Sequence, residues 1–366
     1  MTMIESRKIL LLGSYGYTAQ LIAATLSHSG ISFSIAGRDP VKLDEMKNQF
    51  PLIESLHKVD IESKDLLKNL LPKFRIVVNC IGPYNVFGNL VLEECIDAGC
   101  CYIDICGEQH FVNQSFNNYQ EKAVQTGACI FHSVAFESAL VDLLAKVKLP
   151  ENEAWECISS IYYFEKSRPS PGTRATMLTS QYFPVYSLEK GQLVQQSLAG
   201  FAKNVSDFGN LRLDAVLFAP YPEVMFLKRN FRVQNACSYL LTSNLEAKMA
   251  TGRKQTEIPL ETTMEENRKR MKKGPSDQER LNQVFEIRLL AESSAGKRYC
   301  FSLKGKDMYE LTASIAEIFV RRLLSMKQWP AGIFTPSEIE NPAGVFNEIL
   351  KSNMLDCEEC PDMSIF

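Results

Sequence analysis

No apolar run in this chain of 366 residues reaches the roughly eighteen that a spanning helix requires, so no transmembrane segment is expected. A secretory signal is missing too, because the apolar stretch Ile9–Leu12 is too short to be the core of one. Charge of one sign is not in excess. The 40 Lys and Arg nearly balance the 43 Asp and Glu, net −3, which leaves no electrostatic footprint for general nucleic-acid binding. No G-x-S-x-G elbow is present to support a serine hydrolase. Histidine is scarce, and Cys357-Glu358-Glu359-Cys360 is a single C-x-x-C that lacks half the ligands of a zinc site, so no metal is expected. The 11 cysteines are odd in number and irregularly spaced, which reads as reduced thiols in a cytoplasmic protein. Internal repeats and low-complexity tracts are absent.

What is present is an ordinary globular balance, 45% hydrophobic and 23% charged, in a chain long enough for two domains. Up to residue 148, short apolar runs alternate with helical spacing. Lys8–Leu12, Ile31–Ala36, Glu54–Val59, Arg75–Cys80, Cys101–Ile105 and Ala128–Phe131 read as strands. Gly16–His28, a segment from Pro40, and Val86–Ala98 read as helices. That alternation predicts right-handed crossovers and a doubly wound parallel sheet, an α/β Rossmann domain over 1–148. Beyond Pro150 the runs lengthen. Glu156–Glu165, Phe231–Thr242 and Val284–Ala291 are rich in β-branched and aromatic residues, and Arg298–Lys304 alternates. These predict an α+β domain over 149–309 on a largely antiparallel sheet, able to support a homodimer. A helical segment over 310–366, opening with Tyr309–Leu324, is expected to pack back toward the first domain. The charged segment Thr262–Arg280 reads as a solvated helix and loop, and its basic run Asn267–Lys273 as a solvated face.

The first strand leads into Gly13-Ser14-Tyr15-Gly16-Tyr17-Thr18-Ala19, which opens a helix. Gly13 permits a sharp exit, Gly16 a close approach to a pyrophosphate at the helix N-terminus, and Ala19 close helix–sheet packing. The spacing is G-x-x-G-x-x-A rather than G-x-G-x-x-G, and a plain strand–helix junction would use the same small residues. The second strand carries further information. Where an NAD site places an acid for the ribose hydroxyls, this strand ends in Ala36-Gly37-Arg38, with Lys42 close behind. A guanidinium there suits a 2′-phosphate, and Gly37 would leave room for the adenine side. The fourth strand ends in Asn79-Cys80-Ile81-Gly82-Pro83-Tyr84, a turn at a carboxyl strand end, where open α/β sheets bind ligands.

GSYGYTA, AGRDPVKL, VVNCIGPYNVFGNLVLEECIDAGCCYIDICGE, YPEV, GPSDQER and GKDMYELTA together resemble the saccharopine dehydrogenase-like oxidoreductases, in the branch that holds trans-acting enoyl reductases. The resemblance runs from about residue 8 to 345. It implies a Rossmann domain, an α+β second domain and NADP(H). It places Gly13, Gly16, Thr18, Arg38, Asn79, Gly82 and Pro83 at the cofactor, joined by their neighbours Ser14, Tyr15, Tyr17 and Cys80. Tyr84, Asp104, Gly107 and Glu108 fall at the strand ends. Ala135-Phe136-Glu137-Ser138-Ala139-Leu140-Val141-Asp142 departs from the G-F-D-S-x-P-x-D pattern of the family, which points to a different substrate.

Hydride transfer needs orientation, exclusion of water and a proton source. Candidates for the proton source are Tyr84, Glu108, His132 and Glu137, each near a strand end. Tyr84, Asp104 and Arg174 are candidates for substrate contact, although Asp104 could simply hold its loop. The expected function is NADP(H)-dependent hydride transfer at a C=N, C=C or C=O bond of a small or lipid-like metabolite. The apolar stretch Ala215–Leu227 would line a lipid path or pack in a core. A non-catalytic NADP(H)-binding sensor or partner-binding module is the alternative.

Overall fold

The computed structural model describes residues 8–196, 215–242, 259–270 and 273–360. Two compact units emerge. The first comprises residues 1–106, 111–136 and 309–340, and the second 107–110, 137–308 and 341–366.

In the first unit, β1 (Ile9–Leu12), β2 (Phe33–Gly37), β3 (Ile53–Lys58), β4 (Ile76–Asn79), β5 (Cys101–Asp104) and β6 (Cys129–Phe131) alternate with helices. These are α1 (Tyr17–His28), α2 (Pro40–Gln49), α3 (Lys64–Leu70), α4 (Tyr84–Asp97), α5 (Gln109–Thr126) and α6 (Phe136–Lys148), the last two running on into the second unit. β1, β2, β4, β5 and β6 are buried at every residue, as strands covered on both faces must be. A seventh strand, Gly332–Phe334, pairs parallel with β6, giving the order Gly332–Phe334, β6, β5, β4, β1, β2, β3. All six neighbour pairs are parallel, so the fold is the doubly wound α/β sheet. The strand order reverses between β1 and β4, which makes their carboxyl ends the topological switch point. The helix Met308–Ser325 closes this core: Phe319 meets Phe131 of β6 edge-on at 5.8 Å, and Phe334 lies 5.4 Å from the same ring.

The second unit is built on a mixed sheet. Its strands include β7 (Ala154–Glu165), β8 (Val185–Glu189), β9 (Gln192–Gln196), β10 (Ala215–Phe218), β11 (Arg232–Thr242), β12 (Val284–Ser293) and β13 (Arg298–Lys306). Strand Leu355–Glu359 forms one edge. Pairing is antiparallel except between β7 and β11. β12 alternates strictly between buried and half-buried residues, whereas β13, expected to alternate, is buried continuously from Cys300 to Leu303. Helices α7 (Pro171–Thr179) and α8 (Glu223–Asn230) belong to this unit, and Val224, Phe226 and Leu227 of α8 are core residues.

GPSDQER and GKDMYELTA acquire a common structural purpose. Ser276 and Glu279 form a reciprocal capping box on the short helix Asp277–Leu281. Arg280, at the end of a segment expected to be solvated, is instead buried. Its guanidinium bonds Asp277 at 2.8 Å and reaches Asp307 of the second motif at 3.4 Å. The side chains of 267–272 in the basic run lie outside the described residues. Among the described residues no helix is long and apolar enough to cross a membrane.

Candidate functional site

The turn between β1 and α1 is held from below. The N–H groups of Gly13 and Ser14 both donate to Ala36 O, at 3.0 and 3.3 Å, and Gly16 N–H donates to Gly13 O at 2.9 Å. Gly13 has φ +76°, and a β-carbon there would lie 2.6 Å from Ile81 Cγ1. Only glycine satisfies both the left-handed backbone and the contact with the neighbouring strand-end turn. Gly16 caps α1 with no side-chain bond, and Gln20 N–H is the one that reaches Gly16 O. The amides of Thr18 and Ala19 therefore lack backbone acceptors and present the positive end of the helix. This is the donor set a pyrophosphate requires. The Ser14 hydroxyl does not join it: Ser14 is fully buried and its Oγ lies 3.4 Å from Ala36 O. Tyr17 meets Tyr309 edge-on at 4.9 Å.

Gly13→Ala is expected to cost about 1–2 kcal/mol of stability through left-handed strain and to weaken NADPH binding about tenfold as Ile81 shifts. Thermal denaturation and a nucleotide titration measure both, and an unchanged variant would contradict this account of the turn.

At the end of β2, Arg38 is exposed, and its guanidinium has no acceptor among the described residues. The space over Gly37 is not open for adenine, as the residue types suggested. The Tyr15 ring occupies it, with Cε1 only 2.4 Å from the position of a Gly37 β-carbon. At the end of β4, Asn79 is fully buried. Its Oδ1 accepts from Ile81 N–H at 3.0 Å and its Nδ2 donates to Tyr102 OH at 3.1 Å, which shapes the turn into the cis Gly82–Pro83 bond and Pro83, the cap of α4. Cys80 N–H donates to Leu12 O, and burial together with the Asp104 carboxylate pushes its thiol far up.

Three strand-end candidates turn inward. Tyr84 is 5% exposed and its hydroxyl donates to Asn79 O at 2.8 Å, rather than projecting toward a substrate. Burial holds that hydroxyl well above the usual phenol range. His132 and Asp104 are fully buried. His132 Nδ1 lies 2.6 Å from Asp104 Oδ2, and its Nε2 lies 2.7 Å from Ser115 Oγ, also enclosed. Asp104 Oδ1 accepts from Cys106 N–H and Ser133 N–H, so the trio ties the loops after β5 and β6 to α5. The connection has the order of a Ser–His–Asp relay, and its three side chains are enclosed within the first unit.

The remaining candidates lie in the second unit. Glu108 is buried and accepts from Thr176 Oγ1 of α7 at 3.0 Å. Arg174, on the same helix, is half-buried, and its Nε is enclosed with no acceptor among the described residues. Glu137 is half-buried with its carboxyl group inward. Its Oε1 lies over the Gly107 backbone, 2.8 Å from where a β-carbon would stand. Burial, with the nearby Glu223 carboxylate adding to it, pushes the Glu137 acid up to about 8 against an opposing bond from its own N–H. Glu223, within YPEV, is the residue sequence reasoning missed. It is fully buried and accepts from Ser138 Oγ at 2.9 Å, Ser160 Oγ at 2.7 Å, Tyr162 OH at 2.8 Å and Ser238 Oγ at 2.6 Å. YPEV was the only signal, because the four donors come from three separate parts of the chain, α6, β7 and β11. Among the described residues no cluster of His, Cys, Asp and Glu could hold a metal.

Residues 9–131 match the family described as saccharopine dehydrogenase NADP binding domain. A Mus musculus saccharopine dehydrogenase-like oxidoreductase is 30% identical over 152 residues, covering 37% of this chain and 35% of that protein. A Mycobacterium tuberculosis protein carrying the name trans-acting enoyl reductase is 29% identical over 144 residues, 37% of this chain and 33% of that one. The matched stretch thus spans about a third of these relatives. The solved apo saccharopine dehydrogenase (L-Glu forming) of Saccharomyces cerevisiae shares the fold, with a TM-score of 0.63 over 97% of this chain and 100% of that one at 13% identity.

Proposed function

We propose, from the match of residues 9–131 to the saccharopine dehydrogenase NADP binding domain, that this chain is an NADP(H)-dependent oxidoreductase acting on a C=N, C=C or C=O bond of a small or lipid-like metabolite. The residues present fit the cofactor. The Thr18 and Ala19 amides offer the pyrophosphate its donors, and Arg38 offers the 2′-phosphate a guanidinium that has no acceptor among the described residues. When bound, the cofactor supplies or accepts a hydride.

The observation that supports turnover over mere binding is Glu137. A carboxyl group held at about 8 carries its proton at neutral pH and can deliver it to the atom that gains charge on reduction. In the chain it follows directly on the loop leaving β6, just as Gly107 follows the loop leaving β5. An acid shifted in this way by burial is a candidate for proton transfer. Arg174 Nε, enclosed with no acceptor among the described residues, makes Arg174 the candidate anchor for an anionic substrate group.

NADPH oxidation against a panel of imines, enoyl compounds and ketones tests the reading. Consumption with at least one class supports it, and tight NADPH binding without turnover of any would favour the sensor alternative. Arg38→Ala is expected to weaken NADPH about 10- to 100-fold while leaving NADH within about twofold, because only the 2′-phosphate loses its partner. Equal losses for both nucleotides would remove Arg38 from that role.

A further inference from the structure

The loop that follows β2 is held by a side chain from a different turn. Tyr15 sits in the β1–α1 turn, with its carbonyl accepting from Gln20 Nε2 at 3.0 Å. Its ring lies against Gly37, and its phenol oxygen accepts from Arg38 N–H at 2.9 Å and Asp39 N–H at 3.2 Å. Both lone pairs of that oxygen are thereby used. The O–H proton remains, and no acceptor for it is found among the described residues. The Lys42 ammonium stands 5.3 Å from the ring centroid, and Arg38 is exposed alongside.

The acid that follows Arg38 is partly committed elsewhere. Asp39 Oδ1 accepts from Val41 N–H at 3.0 Å and Lys42 N–H at 3.4 Å, capping α2. Asp39 is thus engaged as a helix cap, while its Oδ2 lies 4.0 Å from Lys42 Nζ. Beside the loop stand a hydroxyl donor, two cations and the Asp39 carboxylate, one oxygen of which is spent on the helix cap while the other faces Lys42. Three donors match a doubly charged phosphate better than a neutral ribose diol, which needs an acceptor.

We propose that Tyr15 is a specificity-determining residue of the nucleotide site, its phenol fixing the Arg38–Asp39 backbone and donating its O–H to the 2′-phosphate of the cofactor beside Arg38. The inference rests on the NADP(H) reading and adds to Arg38 and Lys42 a third donor, from a different turn. It also explains why residue 37 is glycine: a β-carbon there would displace the ring that holds the loop.

Calorimetric titration of NADPH, NADH and 2′,5′-ADP into the full-length protein, its Tyr15→Phe variant and Arg38→Ala tests this. Tyr15→Phe keeps the ring over Gly37, so thermal denaturation should report a folded protein. It is expected to weaken NADPH and 2′,5′-ADP about tenfold or more while leaving NADH within about twofold, and to be coupled to Arg38→Ala in the double variant. An unchanged NADPH affinity would overturn the proposal. Equal weakening of NADPH and NADH would overturn it too, since that is the mark of a residue that only holds the turn. A wild-type protein with no preference for NADPH would instead bring down the cofactor reading beneath it.

Discussion

Glu137→Gln is expected to lower the rate of NADPH-dependent reduction by about 10²- to 10⁴-fold on whichever member of the substrate panel supports turnover. The amide keeps the volume and the position over Gly107 but has no proton to give. Nucleotide affinity should be unaffected, because Glu137 lies outside the nucleotide-binding turns. The pH dependence carries the diagnostic. Wild-type reduction should fall as pH rises through about 8, where Glu137 releases its proton. The residual rate of the variant should lack that limb. A variant with the wild-type rate, or with the limb intact, would assign the proton to another group.

The same shift has a consequence for stability. The folded protein retains a proton that the unfolded chain, near the ordinary value of 4.5, releases. Glu137 therefore favours the folded state fully below about 4.5, and this contribution is lost as pH rises through about 8. Glu137→Gln should flatten the stability of the second unit across that window, as denaturation at pH 5, 7 and 9 would measure.

Glu223→Ala should produce the largest loss of stability. Four hydroxyls, from Ser138, Ser160, Tyr162 and Ser238, converge on this carboxylate inside the second unit. A buried donor left without its acceptor costs about 1–3 kcal/mol. Some of the hydroxyls can rotate to other acceptors, so a loss of about 3 kcal/mol or more is expected for the group. Trp155, fully buried on β7 of that unit, reports its unfolding once the other tryptophan is removed by Trp329→Phe. The urea midpoint should drop with little change in slope. Glu223→Gln, which keeps an acceptor oxygen, should lose less. Equal midpoints for Glu223→Ala and the parent would mean the hydroxyls do not depend on this carboxylate.

Much of the first unit was legible because its strands are buried on both faces. A strand such as Ile9–Leu12 must then be a continuous apolar run, and the helices between such runs announce parallel crossovers. The glycine turn and Arg38 were legible for a similar reason: their spacing is local. The seventh strand was not, since Gly332–Phe334 is three residues long and is a strand only by pairing with Cys129–Phe131, some 200 residues earlier in the chain. Nor was the direction of the strand-end side chains. Tyr84 and His132 stand where a ligand-side residue should, yet one hydroxyl closes onto Asn79 O and the imidazole onto Asp104 and Ser115.

By itself, then, the sequence determined the doubly wound sheet, the glycine turn after the first strand and the place of Arg38 at the end of the second, because each depends on residues close together in the chain. The tertiary structure alone decided that Tyr15 fills the space over Gly37, that Glu223 gathers four hydroxyls, and that Tyr84 and His132 close onto Asn79, Asp104 and Ser115 while the Glu137 carboxyl lies over Gly107. Those outcomes depend on burial and on which distant groups meet, and the free energy of a buried polar group is set by its partners rather than by its position in the chain.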